Sequence, residues 1–192
     1  MPRRGIDYDT IICTASVLAD TEGLDDVTLA AVAEKLNIRV PSLYNHVKGL
    51  SGLRQGLALA GVQELSSRLG KAAMGRAGDE AIRAVFQAYL VFARTRPGLY
   101  EASLSAPDPD NHQVQEAAQE VLDTLLRVLR EYRLADDEAL HAVRGLRSIA
   151  HGFVSLEAKG GFGLDLDRDE SFTKLQEYFI VGLRSQLSKD SF

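Results

Sequence analysis

The chain has 192 residues, a formal net charge of −5 and one cysteine. That is enough chain for one or two compact units, too acidic for indiscriminate binding to polyanions, and without the pair of thiols an internal disulfide needs. Ala, Leu, Glu and Arg abound and few β-branched runs alternate, so the expectation is an all-α fold of about nine helices. Cys13 lies among apolar residues and is expected to be a packed thiol in a reducing compartment. Pro2-Arg3-Arg4 before Ile11 to Ala19 is not a signal peptide, because Asp7 and Asp9 interrupt it and the apolar run is short. No stretch approaches the ~20 apolar residues of a membrane span. A cytoplasmic protein with no membrane partner is expected.

Pro2 to Ile6 forms a short arm. Arg3 and Arg4 either reach a phosphate or the minor groove, or stay a solvated tail. Asp7 or Asp9 can cap a first helix to about Thr21, with Ile11, Ile12, Ala15, Val17, Leu18 and Ala19 as a broad apolar face. Gly23 closes it. Thr28 is a good N-cap for the next helix, since its hydroxyl can accept from a free amide of the first turn. Leu29, Val32, Ala33 and Leu36 recur at helical steps and make one buried face. Asn37 suits a sharp, left-handed stop, and Ile38 packs the turn. Pro41 sits in the first turn of a second short helix, where its missing N–H costs nothing. Leu43 and Val47 then face inward, which turns Ser42, Tyr44, Asn45, His46 and Lys48 outward.

A short helix with such an outward face, propped by another, suits the DNA major groove, where base edges are read by polar side chains and apolar contacts. From Lys35 to Arg54 the chain carries Lys35, Arg39, Lys48 and Arg54 and no acid, a field that suits phosphates. Asp7, Asp9, Asp20, Glu22, Asp25 and Asp26 precede the motif, and most of the other acids lie in the last two thirds. The competing reading is an ordinary helical corner.

Residues 28 to 53 resemble the helix-turn-helix of TetR/AcrR-type bacterial transcription regulators, most specifically over Ser42-Leu43-Tyr44-Asn45-His46-Val47. The resemblance implies DNA contacts from Ser42, Tyr44 and His46, with Thr28 and Pro41 positioning the motif. Arg4, Arg39, Asn45 and Lys48 complete the expected DNA-binding set. The sequence departs at Leu50, where many members carry a lysine that grips a phosphate; either Lys48 takes that contact or it is lost. Arg39 and Val40 lie where members vary, so the base sequence read does not carry over.

From Leu50 a connector helix runs to about Leu69, with Leu53, Leu57, Ala60, Val62, Leu65 and Leu69 inside. Gly56 and Gly61 weaken it by roughly 1 kcal/mol each relative to Ala. They mark either a transmitter of motion or places where neighbours pack closely. The break at 70 to 78 precedes a helix capped by Asp79 and running to about Arg96, with Ile82, Val85, Phe86, Tyr89, Phe92 and Ala93 as its stripe. Pro97-Gly98 starts a short helix through Leu104, and Ala106 to Asp110 is a turn-rich loop. Further helices are expected over about His112–Tyr132, from an Asp136 or Asp137 cap to Lys159, and over about Glu170–Leu187. The segment division is 1 to 50 as the DNA-binding head and 51 to 192 as the ligand-binding and dimerisation body, with 51 to 69 connecting.

The helix to Lys159 is apolar on more than one side, and the last helix carries two stripes, Phe172, Leu175, Phe179 and Leu183 against Tyr178, Val181 and Gly182. Surplus apolar faces predict a homodimer through the last two helices, as the resembled family also implies. Leu146 to Glu157 is similar to a Trp-His-Gly signature of one TetR C-terminal subgroup, with Ala150 in place of the Trp; Arg96-Pro97-Gly98-Leu99-Tyr100 matches that subgroup's other recurrent segment. The resemblance implies an effector cavity among the helices from Leu50 to Leu156, lined by Phe86, Tyr89, Phe92, Tyr100, Leu104 and His151. The plainer reading makes these residues core. No nucleophile, base and acid constellation stands out, and the four histidines with Cys13 lack metal-ligand spacing. No catalytic residue, metal or cofactor is therefore expected. The leading expectation is a dimeric regulator, a repressor that binds double-stranded operator DNA and is released by a small, mainly apolar effector. The alternatives are a helical ligand carrier or enzyme, or a dimeric adaptor with a vestigial head.

Overall fold

The structure, a computed structural model, describes residues 6–104 and 111–187. The arm residues Arg3 and Arg4 and the loop from Ala106 to Asp110 lie outside the described residues. Among those described there are nine α-helices and no strand: α1 (Tyr8–Glu22), α2 (Leu29–Lys35), α3 (Val40–Leu43), α4 (Gly49–Ala73), α5 (Gly78–Thr95), α6 (Pro97–Ser103), α7 (His112–Leu129), α8 (Asp136–Ala158) and α9 (Arg168–Leu187), with a 3-10 turn at Arg130–Tyr132 after α7. The all-α expectation holds. None of these helices is long and apolar enough to cross a membrane.

Backbone contacts divide the chain into two compact units, one from Met1–Leu65 and Thr95–Ala118, the other from Ser66–Arg94 and Gln119–Phe192. The division falls inside α4 and α7 and at the end of α5.

In the first unit, α1 starts where Asp7 Oδ1 accepts from the Thr10 N–H at 2.8 Å, so Asp7, not Asp9, is the cap. The helix ends at Gly23, whose φ of +104° only glycine adopts freely. Ile11, Ala15, Leu18 and Ala19 are buried, and α1 packs on α2 and α6. Val17 departs from expectation and is exposed: it lies on the arc opposite Ile11, Ala15 and Leu18, because successive residues rotate by about 100°. Cys13 is also exposed, not packed, for the same reason of phase.

The α1–α6 junction depends on one small residue. A Cβ built on Gly98 would overlap the Ala19 carbonyl group, which belongs to α1's backbone and has no rotamer to change. Arg96 then closes the junction: its Nε donates to Asp20 Oδ2 at 2.5 Å and its Nη1 to Glu64 Oε2 at 2.8 Å. Asp20 Oδ1 accepts from the Leu99 N–H at 3.0 Å. Burial works to lower the basicity of Arg96, but the bond to Asp20 and the carboxylates of Asp20 and Glu64 hold it above the ordinary arginine value. Gly56 and Gly61 are explained by the same economy of space. A Cβ on Gly61 would meet the Leu99 carbonyl oxygen at 2.5 Å, and one on Gly56 would meet the Tyr8 hydroxyl at 2.5 Å. They are sites of close helix packing.

In the second unit the core is aromatic. Phe86 meets Phe172 and Phe179 edge to face, with centroids 5.8 and 5.6 Å apart. Phe153 sits 4.8 Å from both Phe162 and Phe172. Asp79 is not the expected cap. It lies in the first turn of α5, where its side chain accepts from Tyr132 Oη at 2.6 Å and pairs with Arg184. Arg83 grips Glu177 with two bonds, 2.6 and 3.0 Å. Arg94 grips Glu157 in the same way at 2.8 and 2.7 Å and reaches Asp169 at 2.6 Å. The α8 start has Ala135 at the cap position with no side-chain bond, so Asp136 and Asp137 act as first-turn charges and not as caps. The missed cap is Asp167, whose Oδ1 accepts from the Glu170 N–H at 2.9 Å.

This network makes the second unit acid-sensitive. Burial works to raise the Asp79 carboxyl, but hydrogen bonds from Tyr132 and Arg184 and the charges of Arg184 and Arg83 outweigh it and hold it below the usual carboxylate range. The hydrogen bonds from Arg83 likewise lower Glu177. A depressed folded-state value means that the contribution is complete above the unfolded-state value, about 4. It is lost as pH falls through the lower folded-state values. Thermal melts across pH 2 to 6 are expected to show this loss, with a shallower acid limb in Asp79→Asn.

Candidate nucleic-acid interface

The site is built on α2, α3 and the turns that follow. Thr28 Oγ1 accepts from the Ala31 N–H at 3.1 Å and starts α2. Thr28→Ala is expected to cost about 1 kcal/mol, read as the shift in a urea midpoint at constant slope. At the other end, the Ile38 N–H donates to the Ala33 carbonyl and the Asn37 N–H to the Glu34 carbonyl, both at 2.9 Å, with Asn37 at φ +52°. This is the Schellman arrangement, and it reverses the chain within two residues. Arg39 is extended at φ −89° and ψ 143°, and Pro41 falls in the first turn of α3.

The α-helical ladder of α3 is only four residues long. The chain continues through turns in which the His46 and Val47 N–H groups both donate to the Leu43 carbonyl at 2.9 Å. Leu43 is 0% and Val47 3% exposed, beside Val27 and Val32 at 0%. These four anchors fix the segment from beneath. Tyr44 is 60% exposed, and Arg39, Pro41, Ser42, Asn45, His46, Lys48 and Thr28 are exposed with it. The structure therefore brings all the expected DNA-facing residues except Arg4, which lies outside the described residues, onto one short stretch. Val27 is a further buried anchor, outside the periodic stretch that starts at Thr28 and so not marked by its spacing. A lone Val before a cap is nonetheless the signal of a hydrophobic staple position.

The electrostatics suit an anionic partner. Glu34, Asp25 and Asp26 flank the segment and are exposed; Asp25 lies 4.0 Å from Arg54 with both side chains largely solvated, so the pair neutralises little. Arg39 and Lys48 flank the exposed polar residues. Leu50 is exposed.

The residues expected to line an effector cavity are placed differently from one another. Phe86 and Phe92 are fully buried and Tyr89 nearly so, packed within the second unit's core. His151, in the same unit, is exposed. In the first unit Tyr100 is buried and Leu104 is 39% exposed. Two open cavities among the described residues are lined by other residues. One of about 500 Å³ lies in the first unit between α1, α4, α6 and the start of α7, and one of about 340 Å³ in the second unit between Leu126 and Leu140. No cluster of three His, Cys, Asp or Glu side chains among the described residues has a geometry for a metal ion.

An all-α chain with a capped helix, a Schellman turn and a propped, exposed, acid-free segment belongs to the class of helix-turn-helix DNA-reading proteins. Comparison with known sequences places it within that class. A model of the tetracyclin repressor-like C-terminal domain matches residues 82–178, a span that contains both Arg96–Tyr100 and Leu146–Glu157. The chain is 37% identical over 183 residues to YobS, an HTH-type transcriptional regulator of Bacillus subtilis, covering 95% of each. It is 33% identical over 176 residues to the HTH-type transcriptional regulator Rv0681 of Mycobacterium tuberculosis, covering 91% of this chain and 80% of that one. Its fold matches that of ActR from Streptomyces coelicolor in complex with (S)-DNPA, with a TM-score of 0.71 at 18% identity over 94% of this chain and 98% of that one. The chain belongs to the TetR family of transcriptional regulators.

Proposed function

We propose that this regulator is a dimeric repressor, held on a palindromic operator and released by a small, mainly apolar effector. The observation that carries the reading is the pairing of buried Leu43 and Val47 with exposed Ser42, Tyr44, Asn45 and His46 on an acid-free segment. Ser42, Tyr44, Asn45 and His46 read base edges, while Arg39 and Lys48, with Arg4 from the arm, hold phosphates. Thr28 and Pro41 position the segment. Residues 1 to 50 act as the head and 51 to 192 as the body, with 51 to 69 as the connector.

Dimerisation through α8 and α9 is supported by the large apolar side chains these helices leave exposed. Leu140 and Leu156 on α8 and Tyr178 and Val181 on α9 are 39 to 68% exposed. A two-fold dimer presents two heads to half-sites about 34–36 Å apart. The proposed effector contacts are Phe86, Tyr89, Phe92 and His151 in the second unit and Tyr100 and Leu104 in the first; since Phe86 packs on Phe172 and Phe179, entry beside it requires those rings to part. The ligand shifts the equilibrium only by its difference in affinity between the two arrangements. A relative of the same fold has been solved with a small molecule, (S)-DNPA, which supports an effector-responsive body. The expected setting is the cytoplasm.

The test is a fluorescence anisotropy titration of the purified protein with DNA from immediately upstream of its own gene, at two salt concentrations and against random competitor. Salt-dependent nanomolar binding that survives the competitor, at one dimer or more per site, is the expected result. An empty selection from random sequences as well would sink the operator reading and favour a ligand-binding protein with a vestigial head.

A further inference from the structure

The cavity of about 500 Å³ in the first unit is chemically unlike an apolar effector pocket. Its floor is apolar, formed by Ile12 of α1, Leu59 of α4 and Leu99 of α6. Its rim carries carboxylates from two helices, Asp9 of α1 and Glu64 of α4. Arg96 is the sole cation among its described lining residues, and that guanidinium is already shared between Glu64, at 2.8 Å, and Asp20, at 2.5 Å. Two carboxylates, Asp20 and Glu64, thus hold the one guanidinium, and Asp9 adds a further negative charge to the lining. Gln63, Gln113 and the Tyr8 hydroxyl add neutral polar groups. An apolar floor under a rim of excess negative charge favours a cation with an apolar body and rejects an anion of the same shape.

We infer that the cleft between α1, α4 and α6 is a second small-molecule site, selective for amphipathic organic cations, and separate from the aromatic core of the body. Its floor belongs partly to α1, and α1 packs directly on α2, so a cation seated there acts on the reading head without passing through the body. This last step rests on the operator-binding reading above; the binding site itself does not.

The chain supplies its own reporter. Cys13 is the only cysteine, is exposed and lines this cleft. Its rate of alkylation by N-ethylmaleimide, a neutral reagent, followed by mass spectrometry, therefore reports occupancy of this site alone. The full-length protein is incubated with tetraphenylphosphonium or, as a control of nearly equal shape and opposite charge, tetraphenylborate, and heats of binding are measured in parallel. The expected result is that the cation at ten times its dissociation constant slows alkylation about tenfold, that the anion does not, and that Asp9→Asn weakens the cation about fivefold with unchanged far-UV circular dichroism. Protection by both ions or by neither overturns the proposal. So does a heat of cation binding with no protection of Cys13, which places the ligand elsewhere. Operator anisotropy on the same protein without cation separates the two readings, since loss of operator binding with Cys13 still protected leaves the cleft intact and sinks only the repressor reading.

Discussion

The double substitution Tyr44→Ala with His46→Ala is expected to lower affinity for the operator by about 10²–10³-fold, since each base contact contributes about 1–3 kcal/mol of discrimination. Affinity for random DNA should change little. The two side chains are exposed, so their removal should leave stability within about 0.5 kcal/mol of the parent. Circular dichroism and a urea titration check that directly. Lys48→Ala is the informative contrast. A phosphate contact carries no sequence information, so this variant should weaken specific and random DNA alike and reduce the slope of log K against log salt by about 1. If Tyr44 and His46 can be removed without loss of operator affinity, the exposed side of the turns that follow α3 is not the reading surface.

The second large effect is on folding. Gly98→Ala should destabilise the first unit by about 3 kcal/mol, the upper part of the range for overpacking. The added carbon would overlap the Ala19 carbonyl group, so α6 must lift away from α1 and strain the bonds from Asp20 to Arg96 and to the Leu99 N–H. Gly70→Ala provides the control. Gly70 lies inside α4, half-buried but with open space where a Cβ would go, and the change should stabilise by about 0.5–1 kcal/mol, as for a helical glycine whose added carbon meets nothing. Equal and small effects at both positions would show that the α1–α6 junction is looser than its geometry indicates.

These two sites also mark what could be read from the sequence. The reading head was legible because its determinants are local. Thr28, Asn37, Pro41, Leu43 and Val47 each act on backbone within a few residues, and periodicity alone assigns their faces. Gly98 reads locally only as a turn former beside Pro97; its requirement for a bare Cα comes from Ala19, far away in the chain. Asp79 shows the same limit. Its position before a periodic run suggests a cap, but its partners Tyr132 and Arg184 are 53 and 105 residues away. Cys13 and Val17 were assigned inward because their neighbours are apolar, whereas the arc that α1 buries is set by α2 and α6. The aromatic stripe of α5 was correctly phased. What no local pattern could supply was how tightly Phe86 is closed in by Phe172 and Phe179.

The interleaving of the two compact units has a consequence for biosynthesis and for engineering. The first unit takes its portion through Leu65 from the beginning of the chain and its α6 from residues beyond Thr95, with the Ser66–Arg94 part of the second unit encoded in between. A nascent chain that has released only its first 65 residues holds the reading helices but not Gly98, Arg96 or the amide that Asp20 binds. The head therefore matures only after the ribosome has passed α6. Transplanting it onto another body by cutting after residue 50 would leave Asp20 without its partners and Ala19 bare. A graft that retains its stability must carry α6 along, as a discontinuous piece rejoined through α4.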